Sequence, residues 1–255
     1  MKIYYIANAR MPSEKAHGIQ LAKMCEAFIE QGAGLELIVP RRVNAISESV
    51  QNFYGLRVPI IIKKLPVLFG NSSGRLGFII RSLTFAIGYF FYIRWQKFSG
   101  NSGIIYTTDL DQFSFFLVPL AGMPYFMEIH DAKPRSQWFV WFFRRVGGVI
   151  TINSLIRQKL IDIFKMNPNQ ITVFPNGIDL SVFKNLDSKD GARIKLNLPP
   201  PRPIILYSGK FYAWKGLGIL AEAARIAADL DFYVVGGTEA ELATLIKRNI
   251  PENLH

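Results

Sequence analysis

A chain of 255 residues, 50% of them hydrophobic and 19% charged, is long enough to bury one large core or two modest ones and too apolar to be disordered. A formal net charge of +11 favours anionic partners (nucleotides, acidic lipid surfaces or nucleic acid) without choosing among them. A single cysteine, Cys25, excludes an internal disulfide and suits a reducing compartment.

In chain order, Lys2 leads at once into a strand over 2–7, and no secretory signal is visible. Residues 19–31 read as a helix, with Ile19, Ala22, Met24, Cys25, Phe28 and Ile29 at helical spacing and Gly32 ending it, so Cys25 is expected to be a buried thiol. Leu35 to Val39 is a second strand, stopped by Pro40. Residues 41–74 look irregular, with a strand over Val58–Ile62. A long apolar helix follows over 75–97. Only twelve uncharged residues separate Arg81 from Arg94, too few for a membrane span of about 20. Then come a strand at 103–107, a short helix at 111–121, a strand at 124–129, a helix at 136–145, a strand at 148–152, a helix at 154–164 and a strand at 171–175. Strands alternating with helices mean an α/β fold, a parallel sheet covered on both faces. Residues 184–203, polar and ending in prolines, read as a linker. The alternation restarts with a strand at 204–208, a helix at 214–228, a strand at 231–236 and a helix at 238–248. Domains are therefore expected at 1–183 and 204–255. Two strands fall short of the about five or six of a usual sheet, which implies that the natural chain continues, by roughly a hundred residues or more.

In an open parallel sheet, ligands bind at the carboxyl ends of the strands. The loop after the first strand holds Lys15-Ala16-His17-Gly18-Ile19-Gln20; Gly18 beside a helix start either lets a ligand reach backbone N–H groups or serves a turn. His130 ends a strand in Glu128-Ile129-His130-Asp131, as a ligand contact or a structural histidine. Asp109, in Asp109-Leu110-Asp111, follows another strand and points toward the same crevice; either aspartate could simply cap a helix or turn. No His, Cys and carboxylate cluster has metal-site spacing, and no metal or other cofactor is expected. In the second half, Tyr207-Ser208-Gly209-Lys210-Phe211-Tyr212-Ala213-Trp214-Lys215-Gly216 leaves a strand through a glycine and sets Lys210 and Lys215 before a helix, a recipe for holding phosphate or else a solvated pair. Gly216-Leu217-Gly218-Ile219-Leu220-Ala221 matches a dinucleotide fingerprint, but Gly209 rather than Gly216 leaves the strand, so it reads as a decoy.

The run Val173-Phe174-Pro175-Asn176-Gly177-Ile178-Asp179 through Phe183, followed by the Gly209–Gly216 loop, resembles the hinge and donor-phosphate loop of retaining glycosyltransferases of family 4, which have the GT-B fold of two Rossmann-like domains. The stretches 12–28 and 124–131 are similar to the same family. The resemblance implies transfer of a sugar from a nucleotide sugar to a glycan or lipid-linked acceptor. It implies His130 at the donor sugar, Gly18, Gly209, Lys210 and Lys215 at the diphosphate, and His17 and Asp109 on the acceptor side. Where the family usually has arginine, this chain has Lys210, which keeps the charge and loses the two-pronged fork. The family's later pair of glutamates is not found in these residues. A sugar-nucleotide epimerase, a nicotinamide-dependent oxidoreductase and a non-catalytic membrane-associated subunit remain as rivals. The helix at 75–97, the run Trp138–Arg145 and the net charge fit an anionic membrane surface as well as a core. The expected setting is cytoplasmic, at the inner face of the membrane, with no nucleic-acid partner.

Overall fold

In the computed structural model the alternation resolves into two units, Met1–Gly177 and Ile178–His255. The structure describes residues 1–69, 74–109, 111–198, 202–245 and 250–255. In the first unit, β1 (Lys2–Ile6), β2 (Gly34–Pro40), β3 (Ile61–Leu65), β4 (Ile104–Thr108), β5 (Tyr125–Ile129), β6 (Gly148–Thr151) and β7 (Ile171–Val173) form one sheet in the order β3-β2-β1-β4-β5-β6-β7. Every pairing is parallel; Ile3 lies opposite Leu35 on one side and Ile104 on the other.

The two-residue period of a strand sorts the side chains between two cores. Tyr4, Ile6, Ile38, Ile105 and Met127 enter one, beneath α3 (Arg75–Phe98), α4 (Gln112–Phe115), α5 (Gln137–Phe143) and α6 (Ser154–Phe164). Ile3, Tyr5, Leu37, Val39 and Tyr106 enter the other, beneath α1 (Ala16–Glu30) and α2 (Val50–Tyr54). A tyrosine in such a core needs a partner for its hydroxyl. Tyr4 donates to the Asn101 carbonyl at 2.7 Å, and the Tyr5 hydroxyl meets Thr108 Oγ1 at 2.6 Å. Cys25 is fully buried on α1, and that burial pushes its thiol well up, as expected of an inert core thiol.

Several boundaries differ from the sequence reading. α1 starts at Ala16, so His17 and Gly18 lie inside its first turn rather than before it. Residues 111–121 are two short pieces, α4 and a 3₁₀ turn at Val118–Leu120, with Pro119 unable to donate to a longer helix. The strand expected over 58–62 forms at Ile61–Leu65, beyond Pro59. α2 was not foreseen; Ser49 caps it through the Asn52 N–H, and Gly55 closes it at φ 59°. α3 is long and apolar enough to cross a membrane, with a mean hydropathy of 1.6 over its best window, contrary to the count of uncharged residues. It nevertheless packs Phe85, Ala86, Tyr89 and Ile93 into the first core.

The second unit opens with a 3₁₀ turn at Leu180–Phe183. Where a linker was expected, α7 (Lys189–Lys195) forms, its start fixed by Ser188 accepting from the Gly191 N–H. Pro199, Pro200 and Pro201 lie outside the described residues. β8 (Ile204–Ser208) and β9 (Asp231–Val235) pair in parallel, and α8 (Leu217–Ile226) packs Leu217, Ala221 and Ala224 against Phe232 and Leu242. α9 spans Glu239–Leu245; the rest of the expected helix, to 248, lies outside the described residues. Leu254 makes an isolated parallel bridge to Phe232 of β9.

Candidate functional site

The strand order reverses between β1 and β4, and the loops leaving the carboxyl ends of neighbouring strands open a crevice there. Two polar networks occupy it. The first centres on His130, the residue after β5. Its Nε2 lies 2.5 Å from Glu128 Oε1. Residues two apart on a strand share a face, so the β5 pleat itself brings these two side chains together. Glu128 is buried and also accepts from the Tyr106 hydroxyl at 2.7 Å and from Gln20 Nε2 at 3.1 Å. The Gln20 amide reaches Asn176 Oδ1 at 3.2 Å as well. Its nitrogen sits 3.0 Å from His130 Nε2; with the His130 proton committed to Glu128, the two amide hydrogens go to Glu128 and Asn176.

Asp109 fixes the other side of His130. Its Oδ2 accepts from the His130 backbone N–H at 2.9 Å, and its Oδ1 pairs with Lys133 Nζ at 2.8 Å. The aspartate adopts φ 37°, a conformation unfavourable for any residue but glycine and tolerated best by Asn and Asp. The His130 Nδ1 is 3.9 Å from Asp109 Oδ2, beyond hydrogen-bond distance, so its proton is the one left for a bound oxygen.

The electrostatics follow from this packing. Burial alone would lower the His130 imidazole, but the bonded Glu128 carboxylate, with Asp109 behind it, raises it above its ordinary value. Burial would raise Glu128, yet hydrogen bonds from His130 and Tyr106 hold it below the usual carboxylate range. His17, at the solvent-facing rim, is lowered by the protein crowded around it and then by the charge of His130. An imidazolium and a carboxylate are thus stabilised together over a polar floor.

The second network lies at the reversal point. Asn8 Nδ2 faces Asp111 Oδ2 at 2.7 Å, Ser114 Oγ at 2.9 Å and Ser82 Oγ at 3.0 Å, while Arg42 donates to Asn8 Oδ1. Asp111 caps α4 through the Phe113 and Ser114 N–H groups, the simpler of its two expected roles. Burial, and then Arg81, lower the Arg42 guanidinium to about 10. Leu110, between the two aspartates, lies outside the described residues.

The second unit carries the phosphate-loop candidates. Gly209 leaves β8 with its N–H bonded to the Val235 carbonyl at 2.9 Å. A Cβ on Gly236 would sit 2.5 Å from the Gly209 oxygen, so these two loop backbones touch as only glycine permits. Lys210 and Lys215 are both exposed, and Lys215 Nζ lies 4.6 Å over the Trp214 ring. Gly216, at φ 78°, separates the 3₁₀ turn at Ala213–Lys215 from α8, which explains why the expected helix at 214–228 starts late.

Within the first unit the structure thus assembles His130, His17 and Asp109, and within the second Gly209, Lys210 and Lys215. Gly18 is buried in α1, where its own N–H bonds to the Lys15 carbonyl and its Cα faces the Tyr54 hydroxyl. The roles of Gln20, Glu128, Asn176 and Lys133 escaped sequence reasoning. The signal for two of them was there: Gln20 is one helical turn from His17, and Glu128 one pleat from His130. Among the described residues no three His, Cys, Asp or Glu side chains converge as a metal site.

No family model matches the chain. A D-inositol 3-phosphate glycosyltransferase of Stackebrandtia nassauensis is 30% identical over 98 residues, 35% of this chain and 22% of that protein. One of the same name from Kineococcus radiotolerans is 28% identical over 67 residues, 26% of this chain and 15% of that protein. The chain therefore spans about a fifth or less of each curated relative in these matches. Solved structures align far more extensively. A glycosyltransferase from Rickettsia africae matches 100% of this chain and 67% of its own, at 16% identity and TM-score 0.67. Anabaena Alr3699/HepE, in complex with UDP and glucose, matches 100% and 68%, at 16% identity and TM-score 0.64. The fold is of the GT-B type. A UDP-N-acetylglucosamine 2-epimerase described from Listeria monocytogenes shares it at TM-score 0.57 and 13% identity, over 100% of this chain and 68% of its own.

Proposed function

We propose that this chain belongs to a glycosyltransferase that moves a sugar from a nucleotide-sugar donor to a glycan or lipid-linked acceptor with retention of configuration. The observation that carries the reading is the Gln20–Glu128–His130 constellation at the carboxyl end of the sheet, in a fold shared with a structure holding UDP and glucose. His130, charged through Glu128, offers its Nδ1 proton to a hydroxyl of the donor sugar. Lys210 and Lys215 receive the diphosphate, with Gly209 giving the backbone room to approach it. His17 and Asp109 line the acceptor side, and Gly18, packed against Tyr54 in the first turn of α1, holds the turn that carries His17 toward the donor phosphate. In the transfer, the bond from the sugar C1 to the phosphate oxygen breaks and its electron pair leaves with the nucleoside diphosphate. A bond from C1 to the acceptor oxygen forms on the same face, and the acceptor's proton passes to the departing phosphate oxygen. The residues act by positioning and by steadying the leaving charge, without a metal. The setting proposed is the cytoplasmic side of a membrane.

The test is a transfer assay on the complete natural protein with UDP- and GDP-sugars and a membrane extract as acceptor source. Glycosylated product with nucleoside diphosphate release is expected. His130→Ala and Lys215→Ala should each lower turnover at least about a hundredfold, as loss of one electrostatic contact at a reacting centre does. Near-normal turnover in either variant removes that residue from the mechanism. The shared fold of the Listeria protein favours an epimerase as second reading. It predicts an altered sugar nucleotide with no acceptor present, which the same assay detects.

A further inference from the structure

The helical layer over the first core carries an exposed apolar stripe on α3 and, on the far side of α4, unpaired positive charge at α5. At 100° per residue, Ile87, Phe91, Trp95 and Phe98 fall on one side of α3. They are 47%, 66%, 64% and 86% exposed, whereas Ser82, Phe85, Ala86, Tyr89 and Ile93 on the opposite side of the same helix are buried. α5 lies in the same layer, tied to it through α4: Phe115 touches both Phe139 and Phe142, and Tyr89 on α3 bonds the Ser114 carbonyl. Its inward residues Phe139, Phe142 and Phe143 are buried, and its outward Trp138 is 64% exposed. Beside Trp138 an open cleft of about 720 Å³ is lined by Arg135, Arg144, Arg145, Val140 and Trp141. The Arg145 guanidinium stands 4.9 Å over the Trp141 ring. None of the three arginines forms an ion pair with a carboxylate among the described residues.

We propose that this face docks on an anionic bilayer, with the α3 stripe and Trp138 entering the boundary between headgroups and acyl chains and the α5 cleft taking lipid phosphates. Charge complementarity selects this occupant. A second copy of a chain at +11 would bring like charge onto three unpaired guanidiniums, whereas an acidic leaflet neutralises them. Aromatic and aliphatic side chains next to arginine are what an interface rewards, because each ring sits at headgroup depth while each guanidinium meets phosphate. α3 lies on the surface rather than spanning it, since its other side is committed to the sheet. The inference is independent of the transfer reaction, and a protein with no such activity would still bind.

The whole protein is sedimented with vesicles of phosphatidylcholine alone and of phosphatidylcholine with about a third phosphatidylglycerol, at low salt and at roughly 0.5 M salt. Binding to the anionic vesicles only, weakened by salt, with a blue shift of tryptophan emission, is expected. Arg144→Gln with Arg145→Gln should weaken it about 25-fold, at roughly fivefold per arginine near the surface. Phe91→Ser with Trp95→Ser, at exposed positions that leave the far-UV circular dichroism unchanged, should weaken it at least about tenfold. Millimolar inorganic phosphate should not displace the vesicles. Equal binding to both vesicle types, no effect of either double variant, or release by inorganic phosphate would each overturn the proposal. So would self-association abolished by Phe91→Ser and Trp95→Ser in a protein that ignores vesicles.

Discussion

Replacing Gly18 by alanine should destabilise the first unit, against the ordinary expectation for a glycine in a helix. Helix propensity alone favours alanine by about 1 kcal/mol. At this position the added Cβ would lie 2.4 Å from the Tyr54 hydroxyl and 2.9 Å from the Ser13 carbonyl oxygen. The Tyr54 hydroxyl can move only by giving up its two 2.7 Å bonds, one from the Ser13 N–H and one to the Ser13 carbonyl. Each is worth about 1 kcal/mol net, and overpacking costs about 1–3 kcal/mol where the backbone must yield. Set against the propensity gain, the balance is a loss of about 2–4 kcal/mol, at roughly 2–4 °C in Tm per kcal/mol for a unit of this size. Thermal and urea unfolding followed by circular dichroism measure it. Tyr54→Phe removes the nearest clashing atom, so the penalty of Gly18→Ala should shrink by about 1 kcal/mol in the double variant. A Gly18→Ala protein as stable as the parent, or strict additivity with Tyr54→Phe, would refute the close-packing account of this glycine.

Glu128→Gln should lower the imidazole pKa of His130, because the partner holding its proton becomes neutral; NMR titration of the three histidines reads this, and an unchanged or higher value counts against the pair. The same pair sets a pH window. Glu128 is held below 4.5, so its contribution is complete above 4.5 and is lost as pH falls through its lower folded value. His130 is raised above 6.5, so its contribution is complete below 6.5 and is lost as pH rises through its higher folded value. Denaturation at pH 5.5, between the two, should therefore show the largest cost of Glu128→Gln, about 2 kcal/mol; a cost that does not decline toward acid and alkali would argue for packing alone. At Asp109, both Ala and Gly lose the Lys133 pair and the bond to the His130 N–H, but only Ala keeps the strain of φ 37°. Asp109→Gly should therefore be more stable than Asp109→Ala by about 1 kcal/mol in chemical denaturation, and the reverse order would deny that the backbone is strained.

The parallel sheet was legible because both of its faces are buried. Strands such as Ile3–Ile6 and Leu37–Val39 are then continuous apolar runs, and amphipathic segments between them can only be the covering helices. Legibility failed where a local contact outweighs composition. Val50–Tyr54 is a helix because Ser49 and Gly55 cap both ends, a signal spread over seven residues inside a segment with no period. Residues 189–195 looked like linker because the segment around them is polar and ends in prolines; a short helix held by Ser188, with none of its residues buried, leaves no apolar period in the sequence.

The site was half legible for a related reason. A strand's carboxyl end can be located from sequence, and that was enough to select His130 and Asp109. What raises the His130 imidazole is Glu128, two residues back, and then Asp109, but the groups that hold Glu128 in place are not on the β5 loop. They are Gln20 from α1 and Tyr106 from β4, with Asn176 from beyond β7 holding Gln20, residues 110, 24 and 46 positions from His130, whose convergence depends on a strand order in which β1, β4 and β5 are neighbours. Glu128 alone was within reach, since the pleat places it beside His130 in any strand that contains both. A polar residue two before a crevice histidine is thus a usable sequence signal for its charge state. The remaining partners become visible only when the crossover connections have been closed.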